Sequence, residues 1–115
     1  MDTTMGFTPV EGLIMGTRCG DVDAGVITFL ERTSGLTVPQ IDELINKKSG
    51  LLGLSGISSD MREILTAAEA GESRALIALK TYCYRIRKYI GAYVAAMGGL
   101  DAVVFTGGFG QGSDM

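Results

Sequence analysis

The chain has 115 residues, 46% of them hydrophobic and 20% charged, enough for one small globular unit and too few for two independent domains. Ten basic residues against thirteen acidic ones give a formal net charge of −3, which argues against nonspecific binding to nucleic acid or anionic membranes. Histidine and tryptophan are absent, excluding histidine triads, metal sites and pH switches, and 17 glycines with two prolines and no repeating triplet exclude a collagen-like chain.

From the N-terminus, Thr8 stands where an N-cap belongs, Pro9 at the first helical position and Glu11 three residues past the threonine. A short helix is expected to start there and to fray near Gly12 and Gly16, since an interior glycine costs about 1 kcal/mol relative to alanine. Asp21 or Asp23 caps a second expected helix through about Arg32, ended by Thr33-Ser34-Gly35. A third has Thr37 as its cap, Pro39 in its first turn, and Ile41, Leu44 and Ile45 on one face. The following stretch, 48–60, carries Gly50, Gly53 and Gly56 between leucines and reads as a tightly packed, glycine-interrupted turn, neither regular helix nor strand. Ser58 or Ser59 then begins a helix running to Ala70, with Gly71 as its stop.

The strongest periodicity lies in 72–97, where Leu76, Leu79, Cys83, Ile86, Ile90, Tyr93 and Met97 step by three and four. That spacing predicts one apolar stripe along a long helix, ended by Gly98-Gly99. Lys80, Arg85, Arg87 and Lys88 fall off the stripe, forming either a solvated basic face or an anion or partner site. Leu100-Asp101-Ala102-Val103-Val104-Phe105-Thr106 reads as a short buried strand, followed by the glycine-rich run Gly107-Gly108-Phe109-Gly110-Gln111-Gly112. The expected fold is therefore mostly α with one short buried strand. A lone strand cannot satisfy its ladder hydrogen bonds, so the chain is either a piece of a larger α/β protein or pairs with a second copy. No apolar run approaches the ~20 residues of a membrane span, and no basic start of a signal peptide is present. Cys19 and Cys83, without a histidine to join them, read as buried reduced thiols of a soluble cytoplasmic protein, with a disulfide as the alternative.

Three places bear on chemistry. A glycine-rich loop straight after a strand brings backbone amides near phosphate or a nucleotide ring, but this one matches neither a Walker A loop nor GxGxxG, and on spacing alone an ordinary flexible tail is the favoured reading. Arg18, in Gly16-Thr17-Arg18-Cys19-Gly20, is flanked by small residues that leave its guanidinium open to a carboxylate or phosphate; a salt bridge to Asp21 or Asp23 is the alternative. Asp60 and Arg62 bracket Met61 at a helix start, which suits an anion or a hydroxyl-rich ligand, or else an ordinary cap and surface ion pair.

In order along the chain, Thr4-Met5-Gly6-Phe7-Thr8-Pro9-Val10-Glu11-Gly12-Leu13, Met15-Gly16-Thr17-Arg18-Cys19-Gly20-Asp21-Val22-Asp23, Asn46-Lys47-Lys48-Ser49-Gly50, Ser55-Gly56-Ile57-Ser58-Ser59-Asp60-Met61-Arg62 and Val104-Phe105-Thr106-Gly107-Gly108 closely resemble the acetate kinase family. The resemblance runs through essentially the whole chain. It implies a single partial domain over 1–115, an internal slice of the C-terminal, nucleotide-binding domain of a two-domain enzyme, whose α/β fold is that of the hexokinase–actin–sugar kinase superfamily. It also implies reversible, Mg-dependent phosphoryl transfer from ATP to acetate, giving acetyl phosphate and ADP, by direct in-line attack.

By the same resemblance, Arg18 matches the catalytic arginine that neutralises the phosphoryl group in flight. Asp60, Met61 and Arg62 match the segment that contacts adenosine, with Met61 where an aromatic ring is common. Gly108, Phe109, Gly110, Gln111 and Gly112 match a nucleotide-binding loop that usually reads Gly-Ile-Gly-Glu-Asn, so Gln111 and Gly112 depart from the pattern. The family's catalytic aspartate, second arginine, histidines and magnesium-linked glutamate have no counterpart here, so no metal ligand is assigned and the isolated chain is expected to be inactive. Homodimers through the C-terminal domain are common in the family. Propionate or butyrate as the acid, and a self-associating helical module without nucleotide function, are the alternatives.

Overall fold

A computed structural model describes residues 2–106. Five helices follow one another among these residues: α1 (Ala24–Ser34), α2 (Val38–Lys47), α3 (Gly50–Ser55), α4 (Met61–Glu69) and α5 (Ser73–Met97). The mostly helical expectation holds. The strand does not: among the described residues there is none, and 100–106 are exposed throughout, Val104 to 81%. An apolar β-branched run becomes a strand only where another strand takes its N–H and C=O groups, and none lies nearby. Gly107 to Gly112 lie outside the described residues.

The helix expected from Thr8 is also absent, and 8–13 form turns. Gly12 sits at φ +110, where a Cβ would lie 1.8 Å from the Thr4 carbonyl oxygen. Its N–H donates to Asp21 Oδ1 (2.9 Å) and its carbonyl accepts from Asp21 N (2.9 Å). Long-range pairing to Asp21 thus overrides a local helix signal.

α1 and α2 form as the sequence dictates. The Asp23 carboxylate caps α1 by accepting from Gly25 N (2.7 Å), and Gln40 of α2 reaches back to accept from Thr37 N (2.8 Å), with Pro39 in the first turn. Ile41 is the buried residue of α2. α3 replaces the irregular turn expected at 48–60. It is a helix made by its neighbours, because its first free amides, Leu51 N and Leu52 N, donate to Met15 O and Gly16 O (2.9 Å each). At its other end the Arg74 guanidinium donates to Gly53 O (2.9 Å) and Leu54 O (3.3 Å). Six residues with two glycines would not hold a helix alone. α4 begins at Met61, with Asp60 as its cap, and Ser58 Oγ accepts from Asp60 N (3.0 Å).

α3 and α4 pack on the first half of α5. The core there is Ile14, Leu51, Ile64, Ala75 and Ala78, flanked by Leu54, Met61, Leu79 and Tyr82. The buried face of α5 is therefore rotated from the expected stripe. Leu79, Cys83, Ile86, Ile90 and Tyr93 are half-buried, whereas Leu76 (43%) and Met97 (64%) are exposed. Two alanines face inward because only small side chains let α3 and α4 approach the α5 backbone closely.

Candidate functional site

The site is assembled around the turn 15–19, in which Met15 N donates to Arg18 O (3.2 Å). Last-turn carbonyls of a helix lack intrahelical partners, and two of those of α2, on Ile45 and Asn46, are taken by this turn. Cys19 N donates to Ile45 O (3.0 Å) and Thr17 Oγ1 to Asn46 O (2.9 Å), so both neighbours of Arg18 are tied to the same helix end. Ser49 N closes the frame by donating to Thr17 O (3.0 Å). Gly50 makes the approach feasible: at φ +62, a Cβ would meet Met15 O at 2.3 Å and Arg18 O at 2.7 Å.

Arg18 is half-buried within this frame. Its Nε donates to Asn46 Oδ1 (3.4 Å), and Nη1 approaches Met15 Sδ at 4.0 Å. Neither carboxylate weighed from the sequence pairs with it. Asp23 caps α1, and Asp21 Oδ2 accepts from Tyr89 Oη (2.5 Å) and lies 3.1 Å from Arg85 Nη2. Among the described residues Arg18 forms no ion pair. A guanidinium held by neutral acceptors, at the negative end of the α2 dipole, keeps its full charge for an incoming anion.

The Asp60 segment adjoins this turn. A Cβ on Gly16 would stand 3.0 Å from Ser59 O, so the stretch that opens α4 lies against the loop that carries Arg18. Asp60 caps α4 through Arg62 N (2.9 Å) and grips the same residue's guanidinium at Nε (3.1 Å) and Nη2 (2.6 Å). The fork and the cap together hold the Asp60 carboxyl down to about 2. The pair is solvent-facing, with the Arg62 side chain 88% exposed. Met61 packs in part against the core. The segments that carry Arg18 and the Asp60–Arg62 pair thus meet at Gly16 and Ser59, while Gly108, Phe109, Gly110, Gln111 and Gly112 lie outside the described residues.

An open cleft of about 260 Å³ runs beside the turn, lined by Ile14, Cys19, Lys48, Ser49, Gly50, Gly53 and Leu54. Burial pushes the Cys19 thiol up. No group of three or more acidic or thiol side chains that would hold a metal ion occurs among the described residues. Sequence reasoning missed two features. Asn46 had a motif but no role, and the Asp21–Tyr89–Arg85 cluster joins positions 68 residues apart, which no local pattern announces. Arg85 therefore leaves the solvated basic face, on which Lys80, Arg87 and Lys88 remain exposed.

Known proteins share this arrangement of elements. The model of the acetokinase family matches residues 1–115. The chain is 60% identical over 111 residues to an acetate kinase of Bacteroides thetaiotaomicron, covering 96% of this chain and 28% of that protein. An acetate kinase of Porphyromonas gingivalis strain W83 is 62% identical with the same coverage. The crystal structure of a Porphyromonas gingivalis acetate kinase superposes with a TM-score of 0.91 at 62% identity, over 94% of this chain and 27% of that one. A propionate kinase from Francisella tularensis superposes with a TM-score of 0.92 at 41% identity, over 96% of this chain and 29% of that one. The chain thus spans about 28% of the length of the curated relatives it matches.

Proposed function

This chain belongs to the acetokinase family, and from that premise we propose that it is a slice of the C-terminal, nucleotide-binding domain of an acetate kinase with the hexokinase–actin–sugar kinase fold. The full enzyme transfers the γ-phosphoryl group of ATP to acetate, reversibly: an acetate oxygen bonds to phosphorus as the bridge to ADP breaks. The observation that carries this reading is the half-buried Arg18, fixed by backbone tethers and a neutral amide while Asp21, Asp23 and Asp60 are engaged elsewhere. Transfer of this kind spreads negative charge over the phosphoryl oxygens, and a preorganised guanidinium stabilises it without reorganisation.

Arg18 is proposed as the catalytic arginine, with Asp60, Met61 and Arg62 beside it along the adenosine. Gly108, Phe109, Gly110, Gln111 and Gly112 are proposed to complete the nucleotide site. Magnesium would neutralise the ATP phosphates; no cluster of three or more carboxylate or thiol side chains occurs among the described residues, its ligands are proposed to lie largely outside this chain, and no step here runs through it. The protein is proposed to act in the cytoplasm; no helix among the described residues is long and apolar enough to cross a membrane.

The test is hydroxamate detection of acyl phosphate with ATP, magnesium and acetate, propionate or butyrate. The full-length enzyme should favour acetate, by a margin set by the ~1–3 kcal/mol that one methylene is worth, and the 115-residue chain should form no product. Preference for propionate would move the chain to the related branch, and no acyl phosphate from the full-length protein with any acid would refute the proposal. A second reading has one observation in its favour: Leu76, Ile77, Tyr84, Met97 and Leu100 on and after α5 are exposed. Such residues suit the dimer common in the family, or self-association of the slice. Light scattering that shows monomer at all concentrations would count against it.

A further inference from the structure

The proposed chemistry leaves Asn46 without a task, yet no other side chain among the described residues accepts a hydrogen bond from the Arg18 guanidinium through oxygen. Its amide orientation is fixed by its surroundings. Nδ2 donates to Asp42 O and to Asp42 Oδ1, both at 3.1 Å, which turns Oδ1 toward Arg18 Nε at 3.4 Å. The flipped amide would set a donor against the guanidinium and an acceptor against two oxygens, so only one orientation satisfies the network.

The backbone is registered to match. Asn46 O accepts from Thr17 Oγ1 and the preceding carbonyl, Ile45 O, accepts from Cys19 N, so the residues on both sides of Arg18 are pinned to the turn that bears Asn46. Oxygen takes only Nε, so Nη2 is left for an anion and Nη1 meets only the weakly accepting Met15 thioether at 4.0 Å. A carboxylate at this place would pair with the fork and cancel its charge; an apolar residue would leave it unaimed.

We propose that Asn46 is the positioning residue of the site, a neutral acceptor that aims the Arg18 guanidinium at the phosphoryl group while leaving its charge unspent. This rests on Arg18 being the catalytic arginine. Asn46 touches neither substrate nor reacting atoms in this role and acts only through Arg18.

A double-mutant cycle in the full-length enzyme tests it, using Asn46→Ala and Asn46→Asp in the parent and in Arg18→Ala. Asn46→Ala should lower kcat about tenfold with KM for ATP within about twofold, as expected when a catalytic group is misplaced and substrate binding is left intact. Asn46→Asp should lower kcat further, by pairing with Arg18. In the Arg18→Ala background either change should alter kcat by less than about twofold, because the partner is gone. Equal losses in both backgrounds, or a parental kcat in Asn46→Ala, would overturn the role of Asn46 and leave Arg18 in place. Arg18→Ala at the parental rate would overturn both. If Asn46→Asp fails to fold beside Asp42, the alanine cycle decides alone.

Discussion

Removing the Asp21 carboxylate should unfasten the N-terminal loop from the long helix. Three groups converge on it: the buried Gly12 N–H on Oδ1 at 2.9 Å, and on Oδ2 the Tyr89 hydroxyl at 2.5 Å and Arg85 Nη2 at 3.1 Å. A hydrogen bond to a charged acceptor contributes about 1.5–3 kcal/mol, and an orphaned buried N–H costs about 1–3 kcal/mol. The ion pair adds little, about 0.2–1 kcal/mol, because both side chains keep part of their solvent contact. These contributions share one carboxylate and do not add fully, so Asp21→Ala should cost about 3 kcal/mol. Asp21→Asn keeps an acceptor for Gly12 N and loses only the charge, so about 1 kcal/mol is expected. Urea titration followed by circular dichroism reads both. With a slope of about 1–3 kcal/mol/M, the alanine variant should unfold at a midpoint at least ~1 M lower, and the asparagine variant between it and the parent. A midpoint unchanged in Asp21→Ala would refute the view that this cluster holds the loop on α5.

Other outcomes follow from the same structure. Ile64→Ala empties a fully buried position at the meeting of α4 and α5 and should cost about 2–5 kcal/mol in the same titration; a loss below about 1 kcal/mol would mean that the site collapses or is not core. Asp60, held down to about 2 by the Arg62 fork, contributes stability present above its unfolded value of about 4 and lost as pH falls toward 2. Helicity of the parent should therefore decline over that interval more than that of Asp60→Asn, and identical acid profiles would remove the cap from the account. Tyr89, pushed up to about 12 by its bond to Asp21, favours the protonated form. The stability it contributes is complete below the unfolded value of about 10 and is lost as pH rises through the folded one. Spectroscopic titration should show a late tyrosine that Tyr89→Phe deletes; the four tyrosines ionising together in the parent would contradict this.

Elements with local causes were legible in the sequence. Asp23 and Thr37 announced their helices because a cap and a first-turn proline act within a few residues, and Gly98 announced the end of α5 for the same reason. Elements decided by distant partners were not. α3 exists because Met15, Gly16 and Arg74 satisfy its ends, the helix at Thr8 is lost to Asp21, and the run 100–106 has no strand to pair with among the described residues. The rotation of α5 has a similar origin. Periodicity ranks side chains by hydrophobicity, whereas packing against α3 and α4 selected the small ones, Ala75 and Ala78.

At the candidate site, Arg18, Asp60 and Arg62 are proposed on residue type and on resemblance to a family, and the fold sets their two segments against each other at Gly16 and Ser59. The groups that hold Arg18 were not visible. Asn46, Ile45 and Ser49 act through one amide oxygen, two carbonyls and one N–H, and only the fold brings these to the turn.

The most direct measurement is the turnover of Arg18→Ala in the full-length enzyme, with acetyl phosphate detected as the hydroxamate. Loss of a preorganised group that stabilises developing phosphoryl charge should lower kcat by about 10²–10³ while the protein stays folded and still binds ATP. A folded variant turning over at the parental rate would contradict the account, because the tethered turn around Arg18 would then serve the fold and not the chemistry.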